Sequence, residues 1–421
     1  MVDSICIFEG IYYKRLLPLV YFRPQYDLRC GILSLREKIL KQYPDIPVSL
    51  HGRTYLNDLI HQQNPNSEVN HISAKSCLFI NGRVIVDDNF RDMISPDGPD
   101  RLYIKGDTII AARVSGSKLD ELKTRIHDLY TLSDFNNLVQ EEVDATIVSY
   151  PWDLISNLGD QLRKDFHLMT RYIKGSKIFG KVYEGAHLLN KDNIYIGKDA
   201  VVKPGSVIDA EDGPVYIDDG AYIYPNAVII GPAFIGKNSI VKIGTQVYPN
   251  VSVGEVCKIG GEIEDSIIHS HSNKAHGGFL GHSYLAQWVN LGADTNNSDL
   301  KNNYGSVKVF VNGDQIDSRT MFVGLTVGDH TKAAINTMFN TGTVVGAASN
   351  IFGPGFPRKY IPSFSWGGAE MMTSYDLERS LEVAKRAMER RNMELTDIDE
   401  RLFRKVYDIT KEERRKLGMP H

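Results

Sequence analysis

Cysteine is scarce in this chain: four residues, Cys6, Cys30, Cys77 and Cys257, stand without paired spacing. That pattern gives neither a zinc site nor a disulfide framework and fits a reducing compartment. A surplus of one charge is missing too, since 48 Lys and Arg face 52 Asp and Glu for a net charge of -4. A chain so balanced lacks the basic surplus of a nucleic-acid binder. No run of about 18 apolar residues occurs that could cross a membrane. Asp3, Glu9, Lys14 and Arg15 break up the N-terminus where a signal peptide needs an apolar core. These absences predict a cytoplasmic protein with no nucleic-acid and no membrane partner, and 421 residues leave room for two or three domains.

What the chain does have is a beat of six. From Ile217, every sixth residue is Ile217, Ile223, Ile229, Ile235, Val241, Val247, Val253 and Ile259. At 42% apolar composition, eight such hits arise by chance about once in a thousand registers. The beat also runs at Ile196, Val202 and Ile208, and slips by three across Glu211 to Pro214. It resumes as Phe279, Leu285 and Leu291, and again as Met321, Val327, Ala333, Phe339, Val345 and Ile351. Six matches neither the 3.6-residue helix nor the two-residue strand. It does match a parallel β-helix of hexapeptide repeats, in which one aliphatic per six points into a narrow prism and each coil is buried by its neighbours. Hexapeptide repeats are associated with left-handed coils, against the usual crossover rule.

The expected organisation is an α/β domain over residues 1–178, an all-β left-handed parallel β-helix over 179–360, and a helical C-terminal extension over 361–421. In the first part, SICIFE, IPVSLHG and SCLFINGRVIV read as strands, and GILSLREKILKQY and RTYLNDLIHQQ as helices. DRLYIKGDTIIAARVS suggests a hairpin that covers an edge. The Glu/Arg-rich tail from Ser374 to Arg415 is expected to cap the open end of the β-helix or to pack beside it.

The stretch KRLLPLVYFRPQYDLRCGIL carries an Arg-Leu, a Pro-Leu and a Pro-containing turn into a helix. It resembles the signature of sugar-phosphate nucleotidyltransferases, whose fold is a Rossmann-like α/β domain. The resemblance places Arg15 at the nucleotide loop and Arg23 near the phosphate turn, with NTP and Mg²⁺ as the implied ligands. Three features differ from that pattern, one being Gln25 where the family has a Lys after its Pro. EGIYYKR keeps only Gly10 of the glycine-rich loop, and Asn81 and Gly82 in FINGRV stand where the family has a Gly-Asp for metal, with Asp87 and Asp88 further on.

Four of the chain's 12 histidines, His269, His271, His276 and His282, fall within 14 residues where the beat breaks. Residues six apart face different sides of a prism, so His276 and His282 are not expected to share a metal ion. The run His276, Phe279, Leu280-Gly281 and then Asn290-Leu291-Gly292-Ala293 resembles the acetyltransferase half of the bifunctional enzymes that make UDP-N-acetylglucosamine. Those enzymes also join a nucleotidyltransferase domain to a left-handed β-helix. The resemblance implies His276 as general base and Asn290 as its partner in catalysis, with Phe279, Asn303, Tyr304 and Lys308 contacting the sugar. An amine that attacks a thioester must shed a proton, a task suited to imidazole. Gly292, Ala293, Ala334, Gly346 and Ala347 would let the pantetheine arm of acetyl-CoA lie flat. A homotrimer acting on a hexosamine 1-phosphate or nucleotide sugar is implied as well. Glu264 takes the place of that family's acceptor lysine. Two alternatives stand beside this reading: a nucleotidyltransferase that uses the β-helix to oligomerise, and a non-catalytic trimeric scaffold.

Overall fold

The computed structural model describes residues 1–419. The first strands, rich in buried apolar residues, build a mixed sheet. Strands β1 (Ser4–Phe8), β2 (Val48–His51), β3 (Glu68–Val69) and β4 (Ser76–Asn81) run parallel in the order β3-β2-β1-β4. Between β4 and the next strand of the sheet, a short β5 (Val84–Ile85) leaves it. The sheet then continues with the expected hairpin of β6 (Arg101–Lys105) and β7 (Thr108–Ser115), β7 antiparallel to β4, and ends in β8 (Gln140–Glu142). Because strand side chains alternate, Ile5, Ile7, Leu78 and Ile80 enter one core, while Cys6, Phe8, Cys77 and Phe79 enter the other.

The strand read from SCLFINGRVIV breaks in two. Asn81 Oδ1 accepts from the backbone N–H of Arg83 (3.0 Å), and β5 pairs with β9 (Thr146–Ile147) outside the main sheet. Gly82 permits this turn, since a Cβ there would lie 2.8 Å from Cβ of Tyr26. Helix α1 (Leu35–Gln42) starts at a capping box in which Ser34 and Glu37 exchange hydrogen bonds. The chain continues through α2 (Asn57–Gln63), α3 (Phe90–Met93), α4 (Gly116–Thr124), α5 (Pro151–Ser156) and α6 (Leu158–Thr170).

Beyond α6 the six-residue beat becomes a three-sided parallel β-helix. In one face, Val201 pairs with Tyr222, Tyr222 with Ile240, and Ile240 with Lys258, continuing through Asn273, Asn290, Lys332 and Asn350 to Trp366. The longer step from 201 to 222 is the slip at Glu211 to Pro214. All eight residues of the uninterrupted beat are buried to 1% exposure or less in the prism. The beat shifts after Ile259, because the coil from Lys258 to Asn273 is short. Leu280 is therefore the inward residue and Phe279 is half-buried on the outside. Met321, expected inward, is 47% exposed at the end of a long insertion, and the core resumes at Leu325 and Val327.

Among the described residues, one charged side chain occupies the prism. Lys274, fully buried in line with Ile259, donates from Nζ to the carbonyls of Gly260 (3.1 Å), His276 (2.7 Å) and Gly277 (2.9 Å).

The N-terminal unit lies on a second face of the β-helix, where Phe166 of α6 meets Tyr216 edge to face. The tail folds into α7 (Leu377–Glu389), α8 (Asp397–Ile409) and α9 (Lys411–Lys416). It packs beside the β-helix and joins it to the N-terminal unit: Phe403 meets Phe22 edge to face (4.9 Å), and Glu413 accepts from the hydroxyls of Tyr21 (2.6 Å) and Tyr360 (2.9 Å). Among the described residues, no helix is long and apolar enough to cross a membrane. All four cysteines are free and buried.

Candidate active site

The outward column of the first face carries Lys258, Asn273, Asn290 and Lys332 one above another, each strand spaced by the coil rise. Where α7 ends beside this column, a cavity of about 490 Å³ forms. His276 and Asn290, the catalytic pair that the resemblance implies, both line it. His276 follows the strand at an exposed corner, and its imidazole makes no hydrogen bond to any described residue. The corner is fixed from below, because the His276 carbonyl accepts from Lys274. Asn290 is held by a relay: Arg391 Nη2 donates to Asn273 Oδ1 (2.8 Å), and Asn273 Nδ2 donates to Asn290 Oδ1 (3.2 Å). Trp288, stacked on His271 at 4.5 Å, forms part of the wall.

The lining is strongly cationic. Lys242, Lys258, Lys332, Arg390 and Arg391 surround the cavity, and no Asp or Glu lines it. Burial, and then Arg391, Arg390 and Lys242, lower the pKa of Lys258. Burial pushes Lys332 down to about 7, while its Nζ donates to the carbonyls of Trp288 (2.5 Å) and His330 (3.1 Å). Unpaired cations that depress one another form a receptor for anions such as phosphates. The residues therefore fit the phosphates of a coenzyme A thioester or of a sugar phosphate.

The other sequence-selected residues are spread more widely. Gly292, Ala293 and Ala334 are partly exposed on neighbouring coils beside the column. Gly346 and Ala347 are buried: Ala347 belongs to the core shared with the N-terminal unit, so it presents no surface to a ligand. Asn303 and Tyr304 lie in the insertion, Tyr304 being 68% exposed, and Lys308 opens its hairpin opposite Asp317. That hairpin packs against Trp152 and Val344, away from His276. Phe279 is on the third face. The four histidines divide as well. His269 Nε2 bonds the Asp27 carbonyl (3.0 Å) and ties the two domains together. His282 sits in a different cleft from His276, with Nδ1 at 2.8 Å from Asp299 and with Glu264 beside them, a set of donors close enough to hold a metal ion.

In the N-terminal unit a second cavity, of about 310 Å³, opens at the carboxyl ends of β1 and β4, where ligands of parallel sheets bind. Gly10, Tyr12, Asn81, Arg83 and Asp107 line it. Arg15 stands beside it, stacked over Tyr12 at 4.2 Å. Arg23 is committed elsewhere, in a buried ion pair with Asp329 of the β-helix. Mg²⁺ takes oxygen ligands, carboxylates above all. Asp107 is the one carboxylate lining this cavity, and its Oδ2 already accepts from the Tyr12 hydroxyl (3.0 Å). Asp87 and Asp88 are exposed ahead of α3 and do not line it. These residues do not fit a bound Mg²⁺.

Residues 5–173 match the family model described as sugar nucleotidyl transferase. A bifunctional sugar-1-phosphate nucleotidylyltransferase/acetyltransferase of Sulfurisphaera tokodaii is 34% identical over 168 residues, 39% of this chain and 40% of that protein. The chain is similar to bifunctional nucleotidyltransferase–acetyltransferases. The bifunctional protein GlmU of Acaryochloris marina is 24% identical over 52% of this chain and 48% of its own length. GlmU of Methanococcus aeolicus is 25% identical over 354 residues, 75% of this chain and 76% of its own. The chain thus spans less than half the length of the first two relatives and about three quarters of the third.

Proposed function

We propose that the β-helix cavity is the site of an N-acyltransferase that moves an acetyl group from acetyl-CoA to the amine of a hexosamine 1-phosphate or nucleotide sugar. One observation carries this reading: His276 and Asn290 line a single cavity ringed by five cations and no carboxylate. His276 accepts the proton that the attacking amine loses. Asn290, fixed through Asn273, orients the sugar or the imidazole. The lysines and arginines hold phosphate groups, and acetyl-CoA, when bound, supplies the activated thioester. The cationic wall makes the cavity poor for a cationic ligand and good for two phosphorylated ones.

A homotrimer belongs to this reading. The helices of the N-terminal unit and the tail occupy two faces of the prism, and the third leaves Tyr248 and Met338 exposed. A closed ring of three such prisms would cover that face. A cytoplasmic setting belongs to it too, since four free, buried thiols suit a reducing compartment.

Nucleotidyl transfer is the second reading, supported by the family match over residues 5–173. Release of free CoA thiol with acetyl-CoA and a panel of amino-sugar phosphates tests the first activity, and pyrophosphate release with sugar 1-phosphates and each NTP tests the second. If no acceptor in the panel yields CoA release, the acyltransferase reading is lost. If neither activity is found, the scaffold alternative takes its place.

A further inference from the structure

We infer that the N-terminal cavity is a metal-independent receptor for a phosphorylated ligand, with the Arg83 guanidinium supplying the positive charge that a divalent cation would otherwise supply.

The placement begins with the break after β4. Asn81 Oδ1 turns the chain by accepting from the Arg83 N–H, and β5 then pairs with β9. This brings the Arg83 side chain into the cavity wall at 1% exposure. Its Nη1 donates to the carbonyl of Val148, the residue just after β9 (2.7 Å), and its Nε has no partner. Among the described residues no carboxylate lies within ion-pair distance of it.

Other buried arginines are treated differently. Arg23 and Arg53 have Asp329 and Glu9. Arg113 and Arg414 lack a carboxylate, but Arg113 donates to two carbonyls and Arg414 to three acceptors, although the Arg414 Nε also has no partner. Arg83 has one. A buried cation so poorly satisfied calls for an anion.

A second guanidinium strengthens the case. Arg15 lies 4.2 Å from the Tyr12 ring and Arg83 lies 5.4 Å from the same ring. Burial, followed by Arg15, pulls the Arg83 pKa down to about 10. An oxyanion entering the cavity would offset both the desolvation of the guanidinium and the mutual repulsion. A planar guanidinium can bind two phosphate oxygens at once, which a phosphate ester or anhydride offers. The volume of about 310 Å³ suits a small phosphorylated ligand.

This inference needs neither transfer activity to be present, so its test is binding. Calorimetry of the full chain with glucosamine 1-phosphate and with UTP, each in EDTA and in excess Mg²⁺, is the experiment. We expect at least one of the two to bind in EDTA, with affinity reduced about tenfold or more in Arg83→Gln and partly restored in Arg83→Lys. Lys258→Gln, in the β-helix cavity, serves to separate any binding there. Asp107→Asn changes an exposed residue and keeps the protein testable if Arg83→Gln does not fold. Removing its negative charge should tighten binding, whereas a site built on a metal ion would lose it. The inference is overturned if neither ligand binds the wild type in EDTA, if binding requires Mg²⁺, if folded Arg83→Gln keeps wild-type affinity, or if Asp107→Asn abolishes binding.

Discussion

Arg391 and Asn273 are 118 residues apart, yet a 2.8 Å hydrogen bond joins the arginine Nη2 to the Asn273 side-chain oxygen. Asn273 passes the constraint on to Asn290 at 3.2 Å. The C-terminal helices therefore do more than cover strand edges: they set the orientation of a residue in the proposed active site and add two cations to its wall.

Arg391→Ala should accordingly resemble Asn290→Ala in its effect on acyl transfer. Each should lower kcat, and the double variant should be less than additive, with an interaction of about 0.5–3 kcal/mol as found for residues in one network. Arg391→Ala should in addition raise the KM of the anionic substrate through the lost charge. Full additivity in kcat would show that the relay does not matter for turnover.

His276→Asn should cut acyl transfer by roughly 10²- to 10⁴-fold, the range for positioned proton transfer. Its imidazole is exposed and makes no hydrogen bond to a described residue, so folding stability should move by no more than about 0.5 kcal/mol. Steady-state rates and a urea melt on the same preparation decide this. Wild-type turnover in the folded variant would remove His276 from the mechanism.

The β-helix was legible because its physics repeats. One aliphatic per six must enter the prism on every coil, and Ile217 to Ile259 show that demand without interruption. Legibility ended where the demand was met differently. Lys274 fills an inward position by giving its ammonium three carbonyls, which no search for apolar residues detects. His276 and Asn290 were legible through the resemblance to the acetyltransferases. Arg390 and Arg391 were not, since a helix far along the chain delivers them. The resemblance implies sugar contacts from Tyr304 and Lys308, but the hairpin of the insertion packs toward Trp152. Arg83 was not legible, because the break at Gly82 that turns it inward is a tertiary feature.

Lys274 makes stability depend on pH in a definite direction. Burial lowers its pKa to about 8 in the folded chain, against about 10.4 for an unfolded lysine. Between those values the unfolded state holds the proton and the folded state does not, so stability rises with pH across this window and is flat below it. The Lys274→Met variant lacks this contribution. The difference in urea midpoint, wild type minus variant, should therefore grow from about pH 8 to about pH 10. A difference that stays level or shrinks would mean that Lys274 is charged in the prism throughout.

Lys332 gives the corresponding test for the ligand. Burial lowers its pKa to about 7, so above that pH much of the free protein carries a neutral amine in the cavity wall. A bound phosphate would favour the ammonium form and raise the pKa toward its ordinary value. Binding should therefore take up protons from the buffer at about pH 8, where free Lys332 is mostly neutral, and take up fewer at about pH 6, where it is already charged. Calorimetric titration with CoA in buffers of differing ionisation enthalpy measures that uptake directly. Lys332→Met should abolish it and weaken CoA binding, while Lys332→Arg, charged at both pH values, should bind CoA with no uptake. Equal proton uptake in the wild type and Lys332→Met would assign the linkage to another group and remove Lys332 from the phosphate contacts.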